Sequence, residues 1–285
     1  MLTLQAPAKL NLTLEVLGKR QDGFHEIRSV IQSISLCDSL SFQLSRNVEV
    51  SCADPIWTPT KSLVSRAVSL LQKTTGYSKG ATIEVEKRIP LISGLSGDSS
   101  DAAATLRGLN QLWELGLSLT ELLELASQLG SDVSFFTHGG TAMVRGRGEI
   151  ITPLPPFPHM WVVLMLPPVP RMLGKTKRLY ASLNASHYTD GQITERFATL
   201  LAEGREITSS CLFNVFGSVA QGNFDGFKQY REQFLRTGAE EVHLAGSGPT
   251  LFTLVEDKDE AEKIYGNLRK QELEAYLAET ISTTD

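Results

Sequence analysis

The sequence is poor in cysteine: Cys37, Cys52 and Cys211 are its only three, widely spaced and without a C-x-x-C pair. An odd, scattered set of this kind excludes a disulfide framework and a zinc site and fits reduced thiols. The five histidines are no richer, since His138, His159, His187 and His243 stand alone and only His25 has a suggestive neighbourhood, so no metal-ligand cluster can be assembled from them. No stretch approaches the roughly 20 apolar residues that a membrane helix requires. Met1 to Lys9 lacks a basic region followed by a long apolar run. No signal peptide is therefore expected, and a cytoplasmic location is. The triplet Asn11-Leu12-Thr13 then has no glycosylation meaning. Positive charge is also short: the formal net charge is −5. That balance argues against a nucleic-acid surface, where affinity comes largely from Lys and Arg neutralising phosphates.

What remains is ordinary globular material, 41% hydrophobic and 21% charged over 285 residues, enough for two modest cores. Leu10, Leu12, Leu14 and Val16 alternate with Lys9, Asn11, Thr13 and Glu15, which predicts a strand with one apolar and one polar face. After a polar turn at 18–23, strands are expected over 27–36 and 39–50, a helix from Leu63, and a strand over 82–89. A helix carrying Ala102, Leu106, Leu109 and Trp113 follows a small-residue loop, and another is expected over 120–129 with Thr120 as its cap. Two strands are expected around 141–152. Pro153 to Pro158 holds four prolines in six residues and is the natural domain boundary. Beyond it the pattern predicts a strand over 161–166, helices near 193–202, 212–220 and 227–237, strands over 242–245 and 250–255, and a helix near 259–270. The tail after Leu277 reads as frayed. Strands and helices mix without a strict βαβ rhythm, so the fold class is α+β.

The strongest chemical feature is Ser93-Gly94-Leu95-Ser96-Gly97-Asp98-Ser99-Ser100-Asp101, between a strand and a helix. Small residues let backbone approach a ligand closely, and the free amides of a helix's first turn favour an anion. Ser99 and Ser100 add hydroxyls for phosphate or Mg²⁺, and an ordinary helix cap is the alternative reading. Gly174-Lys175-Thr176 imitates the end of a P-loop, but Val169 stands where the first glycine is required, so it is a decoy. Asp132, just ahead of an apolar run, either accepts a proton from a substrate hydroxyl or caps a short helix. Lys9 and Asn11 share the polar face of the first strand, as site residues or as a solvated face. Phe24-His25 follows a turn, and His25 alone reads equally as a surface or core histidine. Gly246-Ser247-Gly248 is accounted for by a β-hairpin.

Taken in order, these pieces resemble the GHMP kinase superfamily. The resemblance rests on Ala6-Pro7-Ala8-Lys9-Leu10-Asn11-Leu12, Gly23-Phe24-His25-Glu26, Leu129-Gly130-Ser131-Asp132-Val133 with Phe135-Phe136, and Ala245-Gly246-Ser247-Gly248, spanning residues 6 to about 255. It implies two domains, 1–154 of S5-like α/β type and 155–285 of ferredoxin-like type, with a site between them. It implies an ATP-dependent kinase, with Mg²⁺, and is nearest to the members that phosphorylate a hydroxyl of 4-diphosphocytidyl-2-C-methyl-D-erythritol in isoprenoid precursor synthesis. No obligate protein partner is implied. On this pattern Asp132 acts on the hydroxyl and Lys9 holds it. Gly94, Leu95, Ser96, Gly97, Asp98, Ser99 and Ser100 wrap the ATP phosphates, with Ser99 a candidate Mg²⁺ ligand. Phe24 and Tyr180 sandwich the cytosine and His25 reads its edge, while Asn11, Thr176, Gly246, Ser247 and Gly248 complete the substrate side. Two departures stand out: the family carries glycine where this chain has Ser96 and Asp98. Asp98 is expected to face away from the phosphates or to contact the metal, because a bare carboxylate beside triphosphate costs about 1–4 kcal/mol. The family also tends to have Asn at Ser62 and Asn-Asp-Leu at Asn214-Val215-Phe216. A homoserine or mevalonate kinase, or a nucleotide-binding protein without activity, are the other readings.

Overall fold

The computed structural model describes residues 1–282. Its first long strand, β1 (Leu2–Lys19), lies antiparallel to β2 (His25–Ser45). One continuous β2 stands where two strands were expected. The pairing jumps from Pro7↔Cys37 to Ala8↔Ile34, so β2 takes up two extra residues at a bulge and runs on without a break. The short β3 (Glu49–Cys52) precedes α1 (Leu63–Thr75), whose first turn is capped by the Ser62 hydroxyl accepting from Ser65 N. Next come β4 (Gly80–Glu86), α2 (Gly97–Leu112) and α3 (Leu119–Leu129). Ser118, not Thr120, caps α3, because Glu121 three residues on reaches back to close a capping box. Then follow α4 (Ser131–His138), β5 (Thr141–Gly146) and β6 (Ile150–Pro153).

The second half opens with β7 (Trp161–Leu166), α5 (Lys175–Ser182) and α6 (Gln192–Ala202). The helix expected over 212–220 is instead β8 (Phe213–Asn214) followed by α7 (Gly217–Asn223), since Phe213 and Asn214 extend to pair with Thr13 and Leu14 of β1. The chain ends with α8 (Phe227–Leu235), β9 (His243–Leu244), β10 (Leu251–Val255), α9 (Lys258–Lys270) and β11 (Glu274–Glu279). The region read as a frayed tail is therefore a strand to Glu279. It pairs with β7, and Thr280 bridges back to Ile34; residues 283–285 lie outside the described residues.

Two sheets result: a seven-stranded sheet containing β1 to β6 and β8, and a four-stranded antiparallel sheet ordered β11-β7-β10-β9. The α+β class expected from the sequence is the class observed. Phe42, Leu71, Leu109 and Phe136 belong to one core against α1 to α4, and Val163, Phe216, Phe234 and Ile264 to another. A third core joins Leu10, Leu12 and Ile34 from the first sheet to Leu164 and Phe252 from the second. Side-chain burial of this kind contributes about 25 cal/mol per Å² of apolar surface. It holds the helix starts and turns described next at fixed positions.

Candidate active site

The long strand β1 brings its polar face to the floor of a cleft of about 900 Å³. Lys9 and Asn11 are almost wholly buried there: Lys9 Nζ donates to Asn11 Oδ1 at 2.8 Å, and Asn11 Nδ2 donates to Ser29 Oγ at 2.7 Å. Lys9 Nζ also lies 3.7 Å from Asp132 Oδ2 in the first turn of α4. The two residues that the resemblance paired are thus neighbours. Asp132 sits near a helix N-terminus, where a carboxylate is favoured.

The Gly-Ser run forms the loop from Ser93 to Ser96 and the first turn of α2. Gly94 is at φ +96, and a Cβ there would meet Ala245 O at 2.3 Å. Gly246 mirrors it, since a Cβ would lie 2.7 Å from Gly94 O. The two glycine turns are packed back to back, which a hairpin alone does not explain. Asn214 holds the second turn, with Nδ2 donating to Leu244 O and Gly246 O at 2.8 Å each.

Ser96 precedes α2 in the left-handed region at φ +60, a costly conformation for a non-glycine residue. Its hydroxyl does not cap the helix; it donates to Asp132 Oδ2 at 2.6 Å. The helix start consequently keeps no side-chain cap, and the Ser100 hydroxyl is buried with no recorded partner. Helix amides without a cap and an orphaned hydroxyl fit an anion such as a phosphate chain. Among the described residues no group of three or more His, Cys, Asp or Glu could hold a metal by itself. A divalent cation there would have to arrive with the phosphates, the usual habit of Mg²⁺.

Asp98 is more than half exposed and its Oδ1 lies 3.7 Å from Lys87 Nζ. Lys87, on the segment after β4, is the cation that sequence reading overlooked. Its Nζ also donates to Asp38 at 2.5 Å and to Asp101 at 2.7 Å, and all three side chains are buried. Burial pulls the Lys87 ammonium down, yet Asp101 and Asp38 outweigh it and hold it above its usual value. Burial pushes Asp101 well above the carboxylate range, with Lys87 opposing. Only burial could have marked this set. In the sequence Lys87 is an ordinary strand-end lysine.

On the cleft's other wall, His25 stacks on Tyr180 with ring centroids 4.8 Å apart, and Tyr180 meets Phe216 edge-on. Burial first, then Asp132, raises the Tyr180 hydroxyl to about 12, and burial lowers His25. Phe24 is 56% exposed and lies under the Arg147 guanidinium at 4.9 Å. Thr176 Oγ1 and Ser247 Oγ are 2.9 Å apart. Phe24, His25, Tyr180, Thr176 and Ser247 line the same cleft as Lys9 and Asp132. Leu95 turns inward, fully buried, and reaches Lys9 only through its carbonyl, which accepts from Lys9 N at 3.1 Å. A smaller cleft of about 330 Å³ shares Gly94, Ser96, Ser99, Thr176 and Ser247 with the first, and is lined also by Gly97, Asp98, Leu63 and the segment before α5.

The pattern described as "GHMP kinases N terminal domain" matches residues 62–140, and that described as "GHMP kinases C terminal" matches residues 196–274. A 4-diphosphocytidyl-2-C-methyl-D-erythritol kinase of Dehalococcoides mccartyi is 50% identical over 285 residues, covering 100% of both chains. The chain belongs to the GHMP kinases. As such it is an ATP-dependent small-molecule kinase. A kinase of the same name from Enterococcus faecalis is 40% identical over 281 residues, covering 97% of this chain and 98% of its own. Among solved structures, a 4-(cytidine 5'-diphospho)-2C-methyl-D-erythritol kinase superposes with a TM-score of 0.83 at 32% identity, covering 98% of this chain and 99% of its own. A homoserine kinase from Cytophaga hutchinsonii superposes at 0.76 with 19% identity, covering 99% and 95%, and so shares the fold. No helix among the described residues is long and apolar enough to cross a membrane.

Proposed function

We propose that this GHMP kinase transfers the γ-phosphoryl group of ATP to a hydroxyl of 4-diphosphocytidyl-2-C-methyl-D-erythritol. The observation that carries the reading is the meeting of Lys9, Asp132 and the uncapped start of α2 in an aromatic-walled cleft. Full-length relatives of that name support the choice of substrate.

Phosphoryl transfer is mostly positioning and charge stabilisation, so each residue is assigned a task of that kind. Asp132 receives the proton of the attacking hydroxyl, once that hydroxyl displaces the Ser96 hydroxyl from Oδ2. Lys9, steadied by Asn11, orients the hydroxyl and offsets the negative charge on Asp132. The stretch from Gly94 to Ser100 receives the phosphates. Bound Mg²⁺ would neutralise their developing charge, with Ser99 and Asp98 the side chains nearest to hand. Lys87 meanwhile screens Asp98, which answers the repulsion that its sequence position raised. The cytosine stacks on the Tyr180 wall, a contact worth about 1–3 kcal/mol. His25 and Phe24 shift to admit it, and Thr176, Ser247 and the Gly246 to Gly248 turn line its approach. The same reading carries units of 1–154 and 155–285, a cytoplasmic location, and action without nucleic acid or an obligate protein partner.

The test is direct. Protein, Mg-ATP and the cytidylyl substrate are mixed, and ADP and phosphorylated product are followed, with homoserine and mevalonate in parallel. Product from the cytidylyl substrate alone is expected. Turnover of only homoserine or mevalonate would overturn the substrate assignment. Asp132→Asn should lower kcat about 10²–10⁴-fold, the scale of a general base, with ATP affinity nearly unchanged.

A further inference from the structure

Lys175 opens α5 and is almost wholly buried, at 6% exposure. Its Nζ donates to Ile92 O at 2.6 Å, the side chain's one hydrogen bond among the described residues. An ammonium has three N–H donors and no acceptor, so this environment leaves it short of partners. Among the described residues no carboxylate comes within ion-pair distance, and the charged group that acts on it is another cation, Lys9. Ile92 is itself unusual, a β-branched residue at φ +58 just ahead of Gly94. Lys175 therefore grips the loop at a residue held in the left-handed region. It lines the smaller cleft together with Lys87, Ser96, Gly97, Asp98 and Ser99.

We propose that Lys175 is a phosphate-contacting cation of the nucleotide site, whose ammonium meets the oxygens of the triphosphate's outer phosphates when ATP occupies the loop. The inference rests on the kinase reading of that loop and adds to it a residue that the P-loop-like string Gly174-Lys175-Thr176 disguised. A buried, unpaired ammonium is costly, and an anion within reach removes that cost. Burial first, then Lys9, lowers Lys175 to about 7, against 10.5 ordinarily. The charged groups around it are Lys9 from β1, Lys87 and Asp98, which line the same cleft, and Lys177 on its own helix. ATP therefore draws a proton onto the enzyme as it binds.

Calorimetric titration of the full chain with a non-hydrolysable ATP analogue, ADP and AMP, at pH 8 in two buffers of different ionisation enthalpy, tests this. The wild-type protein should take up a substantial fraction of a proton with the ATP analogue. Lys175→Met should take up less, bind the ATP analogue at least tenfold more weakly, and bind AMP within about twofold of wild type. Lys175→Arg should recover part of the loss; it also serves alone should the Met variant not fold. KM for the cytidylyl substrate should stay within twofold. Unchanged ATP affinity in Lys175→Met, or equal losses for AMP and ATP, would make Lys175 a structural lock on Ile92 and overturn the proposal. Proton uptake equal in both proteins would do the same. Failure of the wild-type protein to bind any nucleotide would instead remove the reading of the loop on which the inference stands.

Discussion

Replacing Lys87 by methionine tests the frame beneath the phosphate loop. The substitution keeps the length of the side chain and removes the cation from between Asp38 and Asp101, both with side chains at 0% exposure. Asp38 Oδ1 still accepts from Arg88 N at 2.6 Å and Ile89 N at 2.8 Å. Asp101 fares worse, because its Oδ1 has no recorded partner. Removing one member of a buried ion pair costs about 3–5 kcal/mol. Asp101 limits the loss by taking up a proton, so about 3–4 kcal/mol is expected near pH 7.5. At about 2–4 °C per kcal/mol, the Tm should fall by about 6–16 °C. The pH dependence has a definite sign. Without Lys87, the folded state holds a proton on Asp101 more tightly than the unfolded chain does, so stability of the variant falls as pH rises. The deficit against wild type should therefore be smaller at pH 5 than at pH 7.5, and adding Asp101→Asn should recover about half of it at pH 7.5. Urea unfolding at the two pH values measures all of this. A loss under about 1 kcal/mol, or a deficit that grows in acid, would refute the reasoning.

Tyr180→Ala should raise KM for the cytidylyl substrate about 5–150-fold, the equivalent of one stacked base, and leave KM for ATP within about threefold; steady-state kinetics with each substrate varied in turn checks it. Gly94→Ala should cost at least about 2 kcal/mol, since it combines a left-handed φ with a Cβ 2.3 Å from the Ala245 carbonyl. Thermal melts should show that loss, and ATP binding should weaken with it. Lys175 lowered to about 7 gives a further signature. The unfolded chain binds its proton more tightly than the folded one, so the side chain destabilises the fold fully below pH 7 and progressively less as pH rises toward 10.5. Lys175→Met should thus gain most over wild type near pH 6, with the gap narrowing by pH 9 in parallel melts.

Local pattern decided a good deal. Alternation over residues 9–16 specified β1 and put Lys9 and Asn11 on one face. The four-proline run separated β6 from β7, and the small-residue run announced the helix start at Gly97. The ordered set of short motifs was enough to name the family, because backbone that must approach a ligand tolerates few residue types. Such features are written in consecutive residues, so they can be read consecutively. What the sequence could not disclose is who faces whom across the chain. Only packing of the two sheets sets Gly94 against Gly246, turns the Ser96 hydroxyl away from its own helix toward Asp132, and buries Lys87 between Asp38 and Asp101. The same packing makes β11 a strand rather than a loose tail, since β7 and Ile34 supply the hydrogen bonds its own residues lack. Lys175 shows the difference most plainly: its charge is legible in one letter, but its burial within the field of another cation and its bond to the Ile92 carbonyl are properties of the folded chain, and these set its chemistry.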